Sequence, residues 1–415
     1  MKVAIAGGGI GGLALALALH ARGIDCEVFE AAPEMRELGV GITLLPHAMR
    51  ELAALGLQAE IEALGIENRE SVFANRWGQF VYREPRGRHA GYALPEIGIH
   101  RGRLHGAMWR AALARLGPDR LHLDRRAVDV SQDEAGATMH LAASGSDAPI
   151  ETVRADAVVA CDGVGSAIRA RLRPLDALAF AGINTWRGVT RRAPILDGKT
   201  YFRIGTIDTG KMVIYPIVDD VDASGLQLVN WVAELRDPQA RMNDWNRPAR
   251  LESFAPVFAD WRFDWLDVPA LIRDADRVIE YPMVDRDPAD RWTYGRVTLL
   301  GDAAHPMYPR GSNGSAQALI DARVLAEQLA LAGSDDPRGA LEAYEAQRRP
   351  ATARIVETNR SVPPDYILMK VDELTGGRPF ERLSDVISED ALRRISDDYK
   401  RIAGFSVESL KAPGG

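Results

Sequence analysis

The sequence predicts an α/β protein in which a βαβ-built domain is interleaved with an antiparallel sheet and followed by a helical C-terminal region. Three observations predict it. A short apolar strand runs into Gly7-Gly8-Gly9-Ile10-Gly11-Gly12 and then into an Ala/Leu-rich helix. Two later apolar strands, Ala155–Ala160 and Val297–Leu300, each run into a paired aspartate and glycine. Between them, from about Phe180 to Pro282, β-branched and aromatic runs are separated by Asp/Gly/Pro turns, the composition of an antiparallel sheet.

Lys2–Ala6 is the first strand, Leu13–Arg22 the helix that Gly23 stops, and Asp25–Phe29 the second strand, closed by Glu30. In that βαβ setting Gly7-x-Gly9-x-x-Gly12 makes a tight turn and a helix N-terminus whose N–H groups hold a pyrophosphate. Glu30, 18 residues past Gly12, stands where a carboxylate accepts hydrogen bonds from a ribose. The segment Cys161 to Arg169 carries an Asp162-Gly163 turn and a Ser166 N-cap; alone it reads as a fold element, with Arg169 a solvated surface residue. The run Gly301 to Gly314 is the sharpest signal. Asp302 at the strand end reaches a second ribose or ribityl hydroxyl, and small residues with prolines let backbone approach a flat ring. The glycine turn Gly311–Gly314 then opens a helix whose N-terminus faces developing negative charge. Helices follow at Ala316–Ala330 and Pro337–Thr358, then a charged tail with a helix near Ser388–Ile402.

At 415 residues, 46% hydrophobic and 26% charged, the chain builds one large or two intertwined globular domains. Lys+Arg 51 against Asp+Glu 58 gives −7, which removes long-range attraction to nucleic acid or an anionic membrane. Gly 38, Pro 23 and Cys 2 exclude collagen-like, disordered and disulfide-scaffold classes. Cys26 and Cys161 sit in apolar strand-like runs, as buried free thiols of a reducing compartment do. No run reaches the ~18 apolar residues of a membrane span. The N-terminus has no basic region beyond Lys2, and its glycines interrupt the apolar run. The expectation is a cytoplasmic protein, monomer or homodimer, with no metal site and no nucleic-acid or membrane partner.

These three sites, in this order, resemble the FAD-dependent aromatic monooxygenases of the para-hydroxybenzoate hydroxylase type over nearly the whole chain to about residue 360. The segments Leu38–Ile42, Ile99–Gly102, Trp186–Val189, Tyr215–Ile217, Val229–Val232, Asp244–Asn246 and Tyr281–Pro288 are most similar to the phenazine-carboxylate branch. The salicylate and 6-hydroxynicotinate branches are more distant. The resemblance implies a Rossmann-like FAD-binding domain at 1–75, 99–178 and 286–360, a substrate domain from 76–98 and 179–285, and a helical tail at 361–415. It implies FAD contacts at Gly7, Gly9, Gly12, Glu30, Arg36, Val40, Gly41, Arg101, Val128, Asp162, Asp302, Pro309 and Gly314. Two departures stand out. Pro46-His47-Ala48 replaces the Pro-Asn-Ala of many relatives, and the region from Val362 has no clear counterpart, which suggests oligomerisation or a cover for the site.

The flavin would carry the chemistry and the protein the placement. The resemblance implies reduction of FAD by NADH or NADPH, reaction with O2 to a C4a-hydroperoxyflavin, and oxygen transfer to a small aromatic or heteroaromatic substrate. Decarboxylative hydroxylation of a phenazine-like or other aromatic carboxylate, epoxidation and Baeyer–Villiger insertion fit the same motifs. His47, whose ordinary pKa lies near neutrality, and Tyr215 are the candidate catalytic groups. Arg187 for a substrate carboxylate, Trp231 for stacking and Tyr308 are the candidate substrate contacts. Trp245, Trp261, Trp265 and Trp292 are assigned to packing. A flavin oxidoreductase without oxygen transfer and a non-enzymatic binding protein on the same fold stay open on the residues alone.

Overall fold

The computed structural model describes residues 1–36, 39–238, 247–333, 335–361, 365–402, 404 and 406–408. Leu38 and the segment Asp244–Asn246, with Trp245, lie outside the described residues. A six-stranded sheet runs in the order Thr293–Tyr294, Val297–Leu299, Ala157–Ala160, Lys2–Ala6, Asp25–Phe29, Leu121–His122, parallel except at its first pair. Val3–Ala6 and Ala157–Ala160 are buried throughout, so they read as continuous apolar runs without alternation. Helix Ile10–His20 is buried from Gly12 to Leu19 because it lies between this sheet and other helices, and a Cβ on Gly11 would touch Leu300 and Ala318.

The second layer is an eight-stranded sheet in the order Arg247–Pro248, Ala275–Asp285, Ala179–Arg192, Gln227–Arg236, Gly210–Val218, Thr200–Thr206, Glu70–Ala74, Phe80–Pro85. Only the pair Thr200–Thr206 with Glu70–Ala74 is parallel. Glu70–Ala74, which a boundary at residue 75 leaves with the first domain, is hydrogen-bonded into this sheet, while Ile97–His100 pairs with Gly41–Leu44 instead.

The two faces of this sheet differ. Trp186, Phe202, Ile204, Ile214 and Trp231 turn to a back layer with Phe254, Phe258 and Leu271. Trp231 is fully buried there, its indole N–H donating to Thr190 Oγ1 at 3.0 Å. Its expected role in stacking on substrate is therefore corrected to core packing: strand alternation aims it away from the side chains of Arg187, Tyr201, Arg203 and Tyr215. Trp261, Trp265 and Trp292 pack against Phe258, Phe202 and Tyr344 respectively.

The C-terminal helices Tyr366–Thr375 and Glu389–Ile402 close the sheet edge, where Ile367, Leu368, Val371 and Leu392 cover Phe73, Val81 and Tyr82. Buried Lys211 pairs with Glu234 at 3.0 Å and with Asp365, at the start of that region, at 2.9 Å. Glu84 accepts from Ser396 and Lys400 at 2.5 and 2.8 Å. Among the described residues no helix is long and apolar enough to cross a membrane.

Lys211→Ala leaves two buried carboxylates without their cation. It is expected to destabilise the protein by about 3–5 kcal/mol, read as a lowered urea midpoint.

Candidate flavin-binding site

The glycine turn is shaped by close approach. A Cβ on Gly12 would lie 2.0 Å from the Gly7 carbonyl oxygen, so any side chain there opens the turn. A Cβ on Gly9 would meet nothing within 4 Å, which leaves the N-terminus of helix Ile10–His20 open to a ligand. Glu30 accepts from Gly8 N–H at 2.7 Å and Ala32 N–H at 2.8 Å, and each oxygen keeps capacity for a further donor. Beside it, Arg125 N–H donates to the Glu30 carbonyl at 2.8 Å. Three residues further along that segment, Val128 is skipped by the ladder. His140 pairs with Asp129 and Leu141 with Ala127, so a bulge frees its backbone.

Asp162 is half-buried. Its Oδ2 accepts from Ala167 N–H at 3.0 Å, its Oδ1 is buried without a hydrogen-bond partner, and burial raises its pKa. Arg169 is not a surface residue. It is 2% exposed, donates to the Ala303 and Ala304 carbonyls at 2.8 and 2.7 Å, and pairs with Asp176 at 2.8 Å. The second glycine–aspartate site thus staples the loop of the third.

Asp302 is exposed at the strand end, and a Cβ on Gly314 would lie 3.8 Å from its Oδ1. That loop rests on a buried polar chain. Asp321 on helix Gly314–Ala332 holds Gly301 N–H at 3.2 Å, His305 at 2.5 Å and Arg348 at 2.7 Å. Arg348 also donates to Gln317 Oε1 at 2.6 Å, and Gln317 donates to Asn313 Oδ1 at 3.1 Å. The chain ends at His47, whose Nε2 lies 2.9 Å from Asn313 Oδ1. Nothing in the sequence motifs marks Asp321 or Arg348, although an acid within the Ala/Leu-rich run 316–332 is the available signal.

Across from this loop lies the front of the large sheet. Gly41 N–H donates to Asn230 Oδ1 at 2.7 Å, and Val40 accepts from Arg101 N–H at 3.0 Å, which ties the strand 41–44 to both layers. Asn230 was legible only as one polar side chain inside an apolar strand. Tyr215 stacks on Tyr201 with centroids 5.0 Å apart, and Arg187 lies 4.7 Å over the Tyr281 ring. Burial raises the pKa of Tyr281, and Arg187, Asp302 and Arg101 are the charges close enough to act on it.

Several candidates take other roles than expected. His47 is buried, and burial lowers its pKa to about 4, so its ring is neutral at pH 7 and positions Asn313 rather than titrating. Burial pushes the Tyr215 phenol far above its ordinary range, which removes it as a base and leaves it a hydrogen-bond donor. Tyr308 packs with Ile183 and Met283 and is pushed up to about 12 by burial and Asp285. Arg36, ion-paired with Glu34, and Pro309 in its loop are exposed, which leaves both open to a cofactor as expected of them. Cys26 and Cys161 are free thiols whose pKa burial raises. Among the described residues no cluster of three or more His, Cys, Asp or Glu could hold a metal ion.

The open backbone at Gly9 and Gly314, the orphaned Asp162 Oδ1 and the exposed Asp302 carboxylate fit a dinucleotide with a ring-bearing end, as FAD has. A family profile described as "FAD binding domain" matches residues 1–359. The chain is 40% identical over 409 residues to the phenazine 1,6-dicarboxylic acid hydroxylase PhzS of Lysobacter antibioticus, covering 97% of each protein. It is 33% identical over 414 residues to the 3-amino-4-hydroxybenzoate 2-monooxygenase PtnB3 of Streptomyces platensis, covering 98% of this chain and 96% of that one. Klebsiella pneumoniae HpxO complexed with FAD and uric acid has the same fold, with TM-score 0.74 at 23% identity over 100% of this chain and 98% of that one. Coverage this complete extends into the C-terminal helices, so that region does have a counterpart in relatives.

Two outcomes follow from this geometry. The unfolded state takes a proton on His47 near pH 6.5 and the folded state only near 4, so stability falls as pH drops between these values. Urea midpoints should show the wild type losing about 3 kcal/mol more than the non-titrating His47→Leu variant between pH 7 and pH 4. Gly311 has φ +78°, and a Cβ there would lie 1.8 Å from Tyr399 Oη. Gly311→Ala should cost about 1–3 kcal/mol and expose helix Glu389–Ile402 to faster hydrogen exchange.

Proposed function

The chain belongs to the FAD-binding-domain family, and on that premise we propose that it hydroxylates a fused-ring aromatic carboxylate of the phenazine type. It is an FAD-dependent aromatic monooxygenase that consumes NAD(P)H and O2. When bound, FAD supplies hydride acceptance and oxygen activation. The remaining tasks fall to this chain's own residues.

Gly9 and Gly12 present N–H groups to the pyrophosphate, while Gly7, whose own N–H donates to the Phe29 carbonyl at 2.8 Å, shapes the turn; Glu30 and Asp302 accept from sugar hydroxyls, and Val128 offers its freed backbone beside Glu30. Arg36, Val40, Gly41, Arg101, Asp162, Pro309 and Gly314 complete the proposed cofactor set. The N-terminus of helix Gly314–Ala332, fixed by Asn313, favours negative charge that develops next to it. Tyr215 and Tyr281 keep their protons and orient substrate by donation, and Arg187 offers a cation for an acidic group. The observation that carries this reading is the open backbone at Gly9 and Gly314 with the exposed Asp302 carboxylate, in a fold whose large sheet sets Arg187 4.7 Å over the Tyr281 ring. The identity to a phenazine 1,6-dicarboxylic acid hydroxylase supports the substrate class.

The division proposed is FAD-binding segments at 1–75, 99–178 and 286–360, with Glu70–Ala74 moved to the substrate sheet. A cytoplasmic location is proposed on the two free cysteines, and a monomer or homodimer as the solution state.

The test is NADH and NADPH oxidation by FAD-loaded protein with phenazine-1,6-dicarboxylate, phenazine-1-carboxylate and simple hydroxybenzoates, with product mass recorded. Ligand-stimulated oxidation with a product gaining one oxygen, with or without loss of CO2, is expected for the phenazines. Stimulation by hydroxybenzoates alone would sink the substrate class. Asp302→Ala is expected to weaken FAD retention roughly 10- to 100-fold, measured by flavin content after dialysis.

A further inference from the structure

We propose that Arg187 and Arg203 form a two-point clamp for an aromatic substrate that carries an acidic group at each end. The proposal rests on the monooxygenase reading above and adds the charge pattern of the substrate. Register places the two arginines in one row across four neighbouring strands. Arg187 pairs with Val232, Val232 with Val213, and Val213 with Arg203. Three strand spacings separate their Cα atoms by roughly 14 Å, with Val213 and Val232 as the apolar floor between them. Alternation puts all four on the front face, and Tyr215 stacked on Tyr201 forms an aromatic wall beside the row.

Among the described residues neither guanidinium meets a carboxylate. Arg203 is 5% exposed, donates to Ser71 Oγ at 2.9 Å and lies over the rings of Phe73 and Tyr201 at 5.1 and 4.5 Å. Arg187 lies over Tyr281, and its Nε is buried without a hydrogen-bond partner. Arg203 is buried and Arg187 half-buried, whereas the buried cations Lys211 and Arg86 of this region are neutralised, Lys211 by Glu234 and Asp365 and Arg86 by Glu84 and Glu96. Glu84 shares a small cavity of about 20 Å3 with Arg203, but Ser396, Lys400 and Arg86 already hold that carboxylate. Burying a cation without an anion is costly, and a planar guanidinium matches a carboxylate in two parallel bonds. Arg187 and Arg203 lean outward from the floor, toward Tyr281 and Phe73, so each is positioned at one end of a flat ligand lying on Val213 and Val232.

The test titrates FAD holoenzyme with phenazine-1,6-dicarboxylate, phenazine-1-carboxylate and unsubstituted phenazine, following the flavin absorbance. Wild type, Arg187→Gln, Arg203→Gln, Arg203→Lys and the double Gln variant are compared, with FAD content as the check on folding. Each Gln variant is expected to lose about 10- to 100-fold in affinity for the diacid while affinity for unsubstituted phenazine stays within about twofold. Only one of the two should affect the monoacid, and Arg203→Lys should recover part of the loss. Equal weakening of all three ligands in either Gln variant, or diacid affinity unchanged in both, overturns the clamp while leaving the monooxygenase reading in place. A wild-type holoenzyme that binds none of the three and shows no ligand-stimulated NAD(P)H oxidation overturns the substrate reading, and the clamp with it.

Discussion

The carboxylate of Asp321 is the constraint on which the cofactor end of the molecule depends. It is wholly buried on helix Gly314–Ala332, and a lone ionised acid there would be intolerable. His305 and Arg348 hold its pKa low against burial, and Gly301 N–H adds a third bond. Through these bonds one side chain fixes the strand end that carries Asp302, the loop that follows and the long helix Pro337–Ser361. From the other side, Arg169 grips the Ala303 and Ala304 carbonyls. The loop that follows Asp302 is therefore irregular yet held from both sides, which is what electrostatic preorganisation at the proposed flavin site requires.

A second division of labour lies in the large sheet. Its back face is a core of tryptophans and phenylalanines under the segment 249–273, and it spends its aromatic surface on stability. Its front face carries tyrosines, arginines and Asn230, and meets the first domain through the Gly41 bond. A reaction that needs water kept out and the substrate ring oriented can use such a face, because each polar group is held in a strand rather than on a mobile loop.

The C-terminal helices belong to the site as much as to the fold. Tyr399 fits against Gly311 because that residue has no side chain, and its hydroxyl reaches Asn359 at 3.1 Å. Lys211 and Glu84 anchor the same region to the sheet through buried ion pairs. The tail thus packs between the loop at Gly311 and the edge strands that carry Phe73 and Glu84.

The local patterns of the chain determined a good deal by themselves. Gly12 must be glycine because of its own turn, and the apolar runs at 2–6, 157–160 and 297–299 are strands because both their faces are covered. The glycine–aspartate order was enough to show the family resemblance that implies FAD, since backbone geometry and short-range spacing set those sites. What lay beyond reach depends on contacts between distant segments. His47 looked like a titrating base until burial beside Asn313 held it neutral, and Trp231 looked like a substrate contact until the sheet turned it to the back. Arg169 looked solvated because its partners lie 134 and 135 residues away. Spacing along the chain sets which groups can turn together, but only the packing of one layer on another sets dielectric, charge pairing and which face of a strand meets the ligand.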